Sequence, residues 1–77
     1  MADAEQFIVK TIRTLIKRRG GEVPEISSAS VISADLDLDS LELAELSSAL
    51  EDEFDRDPYS EGIVPNTVGE LTAFYAE

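Results

Sequence analysis

A loop meets a helix within residues 35–46, which read Asp35-Leu36-Asp37-Leu38-Asp39-Ser40-Leu41-Glu42-Leu43-Ala44-Glu45-Leu46. Asp39 is of a residue type favoured at helix N-caps, where the carboxylate accepts hydrogen bonds from backbone N–H groups of the first turn. Glu42, three residues later, completes an Asp-x-x-Glu variant of the capping box. The spacing therefore predicts that a helix begins at Ser40. It also predicts an exposed serine beside the positive end of the helix dipole, where a phosphate group would be stabilised.

The predicted helix continues to about residue 55, because apolar residues recur at helical spacing: Leu43, Leu46, Leu50 and Phe54. These side chains are expected in the core. The acidic residues of the same segment are expected on the solvent side, where they would form a docking surface for basic partners: Glu42, Glu45, Glu51 and Asp52, with Glu53 beside them.

A first helix is predicted over residues 3–19, with one apolar face made of Phe7, Ile8, Ile12, Leu15 and Ile16. Gly20 and Gly21 supply the left-handed stop that commonly ends a helix. The connection over residues 20–39 is long for a compact domain. Its scattered apolar residues indicate a loop that is held against the core.

The last third of the chain predicts a short element and a final helix. Gly62 and Pro65 leave room for about one turn at residues 58–64, anchored by Tyr59, Ile63 and Val64. A helix is predicted over residues 67–76: Thr67 and Glu70 have capping-box spacing, and its inner face carries Val68, Leu71, Phe74 and Tyr75. We therefore expect a single all-α domain over residues 1–77, a small bundle of three main helices with a short third element between the last two.

Composition excludes several classes of function. A chain of 77 residues is too short for a deeply enclosed catalytic cleft. It contains no cysteine and no histidine, which removes disulfides, zinc–thiolate sites and the usual general base.

The charge is strongly acidic and uneven. The net charge is −11. Residues 1–21 hold five basic and two acidic residues, whereas residues 22–77 hold one basic and fifteen acidic residues. This balance argues against nucleic acid, which is bound through Lys and Arg, and it predicts basic protein partners. The chain has neither a signal-peptide pattern nor an apolar run long enough to span a membrane, so a cytoplasmic protein is expected. We also expect a monomer.

The order Asp-Leu-x-Leu-Asp-Ser-Leu, followed by a leucine-rich acidic helix, resembles the modification site of the acyl carrier protein family. The resemblance continues through Leu46, Leu50 and Phe54. It implies a non-enzymatic carrier in which Ser40, flanked by Asp39 and Leu41, bears a 4′-phosphopantetheine arm derived from coenzyme A. It also implies two kinds of partner, a phosphopantetheinyl transferase and the acyl- or aminoacyl-loading and transfer enzymes, which would dock through basic patches.

One departure from the family pattern lies in the loop. The family often has glycine at the position of Asp37, which allows a positive φ. Aspartate tolerates the left-handed region better than most residues, so the turn is expected to persist.

The cargo and two rival functions stay open at this level. Fatty acyl and polyketide intermediates are expected on an acyl carrier, whereas aminoacyl, peptidyl and D-alanyl carriers share the same framework. Asp35, Asp37 and Asp39 also open an EF-hand-like calcium loop, but Ser40 stands at its sixth position and Leu46 at its twelfth. An enzyme with a nucleophilic Ser40 would need a lysine or a carboxylate as its base, and no lysine lies near it in sequence.

Overall fold

The computed structural model describes residues 2–20 and 22–76. Its elements are α1 (Ala2–Arg18), α2 (Ser40–Phe54), a 3₁₀ turn (Tyr59–Glu61) and α3 (Val68–Phe74). The predicted fold class, an all-α bundle with a short third element, is confirmed. Gly20 has the left-handed φ of +85° expected at the end of α1, whereas Gly21 lies outside the described residues.

The three helices bury one continuous apolar core. The helix α1 packs against both α2 and α3 and supplies one face of it. The buried apolar side chains of the helices are Ile8, Ile12, Leu15, Ile16, Leu46, Leu50, Val68, Leu71 and Phe74. Each buried aliphatic side chain contributes about 1.5–3 kcal/mol relative to exposure, so these residues carry much of the stability of a small domain.

The long loop is part of the core. Its side chains Ile32, Leu36 and Leu38 are buried with those of the helices. An isolated antiparallel bridge pairs Val31 with Thr67: the Ile32 amide donates to the Asn66 carbonyl at 2.9 Å, and the Val68 amide donates to the Ser30 carbonyl at 3.0 Å. The loop is therefore attached to the start of α3.

The start of α3 uses only half of the predicted capping box. Thr67 Oγ1 accepts the Glu70 amide at 3.1 Å, as expected. Glu70 Oε1, however, accepts the Asn66 amide at 2.8 Å, not that of Thr67. The Val31 bridge fixes the path of the chain into α3, and the carboxylate caps the preceding residue instead.

Gly69 lies where α3 touches the loop. Its amide donates to the Ser28 carbonyl at 2.8 Å, and a Cβ at this position would lie 2.9 Å from the same oxygen. Gly69→Ala is expected to lower the free energy of unfolding by about 1–3 kcal/mol through overpacking. This loss outweighs the gain of about 0.5–1 kcal/mol that alanine usually brings inside a helix.

Urea denaturation of Gly69→Ala tests this expectation. The variant Ala73→Gly, at an exposed position of the same helix, measures what a Cβ contributes where nothing is crowded. A Gly69→Ala protein more stable than wild type would contradict the close contact with Ser28.

The short third element is anchored differently from the expectation. Ile63 and Val64 are 46% and 74% exposed, so their predicted anchoring role is wrong. Pro58 and Pro65 are buried instead. Proline has no N–H group, so its burial leaves no donor unsatisfied. Gly62, at φ +81°, then turns the chain so that the two following apolar side chains face outward.

Aromatic side chains close the end of the bundle that holds the C-terminus of α2. The Phe54 ring lies 5.4 Å from that of Phe7 and 4.6 Å from that of Tyr75, between ring centroids. The Tyr75 hydroxyl donates to the Arg56 carbonyl at 3.0 Å. Burial, with the nearby charge of Asp57 adding to it, raises the pKa of Tyr75 to about 12, so the hydroxyl keeps the proton that it donates. This cluster is structural.

Within the described residues, no helix has the length and apolar character needed to cross a membrane.

Candidate functional site

The start of α2 is capped as the sequence predicts. Asp39 has an extended backbone and its Oδ1 accepts the Glu42 amide at 2.8 Å. Glu42 Oε1 in turn accepts the Asp39 amide at 3.1 Å. The capping box is therefore complete, and Ser40 is the first helical residue, in an exposed position. Its hydroxyl is accessible to a partner without any movement of the core.

The loop before Ser40 alternates between the core and solvent. Leu36 and Leu38 are buried, whereas Asp35, Asp37 and Asp39 are exposed. Asp37 has a φ of +54°, which confirms that aspartate takes the left-handed conformation expected at this turn. The two buried leucines fix the turn against the bundle, so the serine that follows is held at a defined place on the surface.

Glu42 is not on the solvent side, and that prediction is wrong. Its side chain is only 11% exposed, and Oε2 lies 3.3 Å from Arg19 Nε. Glu42 precedes Leu46 and Leu50 by four and eight residues, so helical geometry places all three on the same buried face. The spacing of these residues thus indicates that Glu42 is buried, whereas its charge favours an exposed position. A buried carboxylate requires a paired cation, and Arg19 supplies it.

Arg19 is a site residue that the sequence did not reveal. Its Nη1 donates to the Asp37 carbonyl at 3.1 Å and its Nη2 donates to the Leu36 carbonyl at 2.9 Å. Near a helix C-terminus, a basic residue is explained adequately by the dipole. Its partners Leu36, Asp37 and Glu42 follow it in the chain by 17, 18 and 23 positions. These contacts depend on tertiary structure, and no local sequence pattern indicates them.

One exposed face of α2 extends from Ser40 toward the C-terminus of the helix. We define the outer face as five exposed residues: Leu41, Ala44, Ser48, Glu51 and Asp52. Leu41 is 68% exposed although it is apolar, and Glu51 and Asp52 are free of the core. Glu45, also predicted as a docking residue, is half-buried and forms an ion pair with Arg18. The acidic surface is therefore narrower than the sequence suggests.

Comparison with known proteins decides the class of this chain. A family model described as "Phosphopantetheine attachment site" matches residues 6–74. The chain belongs to this family. It is also similar to MacpD, an acyl carrier protein from Pseudomonas fluorescens involved in mupirocin biosynthesis, whose structure was solved in solution. The two are 30% identical with a TM-score of 0.81, and the match covers 100% of this chain and 71% of MacpD. No curated protein matches.

These matches confirm the predicted acyl carrier protein family and its 4′-phosphopantetheine prosthetic group. The geometry of Ser40 fits such a group. The serine is exposed at the first position of a capped helix of 15 residues, so a phosphodiester on its oxygen would lie in solvent beside the helix N-terminus. Asp39 and Leu41 flank this serine in the sequence.

In this carrier protein the three alternating aspartates have separate structural roles. Asp35 Oδ2 accepts the Val31 amide at 2.8 Å. Asp37 forms the left-handed turn and Asp39 caps α2. Over the part of the chain that the structure describes, no group of three or more acidic, histidine or cysteine side chains is arranged to hold a metal ion.

Proposed function

We propose that Ser40 is the attachment residue of this acyl carrier protein. The observation that carries the proposal is the exposed serine at the start of α2, held there by the capping box of Asp39 and Glu42. The bound group supplies a terminal thiol on a long flexible arm, on which an acyl chain is carried as a thioester. The protein itself offers the serine oxygen, an N-terminal helix end that stabilises the phosphate charge, and a surface for partner enzymes.

Carrier proteins of this family are not catalytic. The chemistry is expected in the partners, a phosphopantetheinyl transferase and the enzymes that load and unload the arm. Tethering keeps an activated intermediate at high effective concentration near each of them. We propose that the intermediates belong to polyketide, fatty-acid or related synthesis. The similarity to MacpD favours this cargo over the alternative, an aminoacyl, peptidyl or D-alanyl group.

Intact-mass spectrometry tests the proposed function. Incubation of the protein with coenzyme A and a phosphopantetheinyl transferase should add the mass of one phosphopantetheine group. The cargo would then be identified from protein purified from its native cell, by releasing the attached group in the mass spectrometer and measuring its mass. A protein that gains no mass with several transferases would contradict the proposal, and an ejected aminoacyl group would establish the alternative.

We also propose that partners dock on the outer face of α2. Glu51 follows Ser40 by eleven residues, which places it on the same side of the helix about 16 Å away along the axis. Leu41 adds an exposed apolar side chain directly after the serine. An apolar contact beside the attachment point, surrounded by acidic groups, suits a basic partner surface with an apolar centre.

The double variant Glu51→Lys/Asp52→Lys should lower transferase kcat/KM at low salt by roughly tenfold, because reversed charges weaken electrostatic steering. The loss should disappear at high salt, since the Debye length falls from about 30 Å at 0.01 M to about 3 Å at 1 M. Transferase kinetics over this range of ionic strength measure both effects.

The matched control is Glu25→Lys/Glu53→Lys, which changes the net charge equally at exposed positions. Glu25 lies in the loop, and Glu53 lies about 200° around α2 from Glu51. The control should retain most of the wild-type kcat/KM. Equal losses in the two double variants would mean that net charge matters and that the outer face does not.

A further inference from the structure

The side chain of Arg19 joins the end of α1 to both parts of the structure that hold Ser40. Two of its nitrogens donate to the carbonyls of Leu36 and Asp37 in the loop, and its Nε faces the Glu42 carboxylate in α2. A guanidinium group can serve three acceptors at once because its donors form a rigid planar fork. Arg19 therefore links α1, the loop and α2 at one point.

We propose that Arg19 is a positioning residue for the modification of Ser40. The inference rests on the proposed attachment at Ser40. It adds a residue that keeps Ser40 in a conformation that a transferase can modify. Arg19 holds the loop and the capping box in the single arrangement that a transferase accepts. It does not touch the reacting atoms.

The connection from Arg19 to the serine passes through Glu42. One carboxylate oxygen of Glu42 faces Arg19, and the other accepts the amide of Asp39, the residue before Ser40. A buried carboxylate without a paired cation is unfavourable, so loss of Arg19 would turn Glu42 toward water. The Asp39 amide would then lose its acceptor, and the first turn of α2 would fray at Ser40.

The loop side of the contact acts in the same direction. Asp37 has a positive φ, a conformation that residues other than glycine seldom adopt without support. The bonds from Arg19 to the carbonyls of Leu36 and Asp37 provide that support. Without them, the loop would populate other conformations, and only a fraction of the molecules would present Ser40 correctly.

The variant Arg19→Lys tests the proposal, because it keeps the charge and removes the planar fork. If about one molecule in ten keeps the competent loop, the KM of the transferase for the carrier should rise roughly tenfold while kcat stays unchanged. Arg13→Lys, the same substitution at an exposed position of α1, should keep the wild-type KM. Kinetics are measured with coenzyme A and a transferase that modifies the wild type.

Amide hydrogen exchange gives a readout that does not depend on modification. In Arg19→Gln, which removes the cation paired with Glu42, exchange at Asp39 should accelerate relative to wild type, while exchange at Leu46 in the middle of α2 should not change. Glu42→Gln should accelerate exchange at Asp39 as well, because the neutral amide weakens the contact with Arg19. Thermal unfolding confirms that each variant is folded at the assay temperature.

The outcomes separate the positioning role from the attachment itself. A wild-type KM in Arg19→Lys, or an equal rise in Arg13→Lys, would overturn the positioning role and leave attachment at Ser40 intact. Unchanged exchange at Asp39 would also overturn it. If the wild-type protein accepts no phosphopantetheine group, the proposed function fails, and the positioning role fails with it.

Discussion

Replacing Ser40 with alanine is expected to abolish attachment of the phosphopantetheine group completely. Alanine has no oxygen with which to form the phosphodiester. The fold should persist, because residue 40 is exposed and the caps of α2 come from Asp39 and Glu42. A surface substitution of this kind changes the free energy of unfolding by about 0.5 kcal/mol or less. Intact masses after incubation with coenzyme A and a transferase measure the loss directly.

Ser48→Ala is the matched control for this experiment. Ser48 is also exposed and lies on the same helix, but it is two turns away from the capped N-terminus. The control variant should gain the full mass of one group. Mass gain by Ser40→Ala would contradict attachment at Ser40 and would direct the search to another serine.

Leu46→Ala should have the largest effect on stability among the substitutions considered. Leu46 lies on the inner face of α2 and is fully buried in the core. Truncation of a buried leucine to alanine costs about 2–5 kcal/mol, from lost transfer free energy and from the cavity that remains. A domain of this size has little stability to spare, so a sizeable unfolded population is expected on mild heating. Urea denaturation followed by circular dichroism measures the change.

Leu41→Ala makes the same chemical change five residues earlier on α2. Because Leu41 is 68% exposed, its truncation should alter the free energy of unfolding by no more than about 0.5 kcal/mol. It should nevertheless reduce transferase kcat/KM if the outer face is the docking surface. A large loss of stability in Leu41→Ala, or none in Leu46→Ala, would contradict the assignment of the buried and outer faces of α2.

The features that were predictable from the sequence depend on residues close together in the chain. The capping box joins Asp39 and Glu42, which are three positions apart, so the start of α2 at Ser40 could be read directly. The apolar faces of the helices follow from steps of three and four residues. The left-handed turn at Asp37 was expected from the resemblance to the acyl carrier protein family, which often has glycine at this position, and aspartate tolerates that conformation.

The third element shows where local pattern fails. Ile63 and Val64 were expected to anchor it because they are apolar, yet Pro58 and Pro65 are buried instead. Each of these residues is apolar enough for either environment. The direction of the chain after Gly62 determines which of these side chains are buried. That direction depends on how the turn packs on the bundle.

The amino-acid sequence by itself determined the three helices, the capped start of α2 and the exposed serine there, because each arises from contacts within about one helical turn. Tertiary structure alone decided the ion-pair partners of Glu42 and Glu45. Glu42 is buried because Arg19 reaches it from the end of α1, and Glu45 is partly neutralised because Arg18 lies opposite. A charge is placed by the electrostatic free energy of its surroundings, and those surroundings exist only after distant segments have packed together.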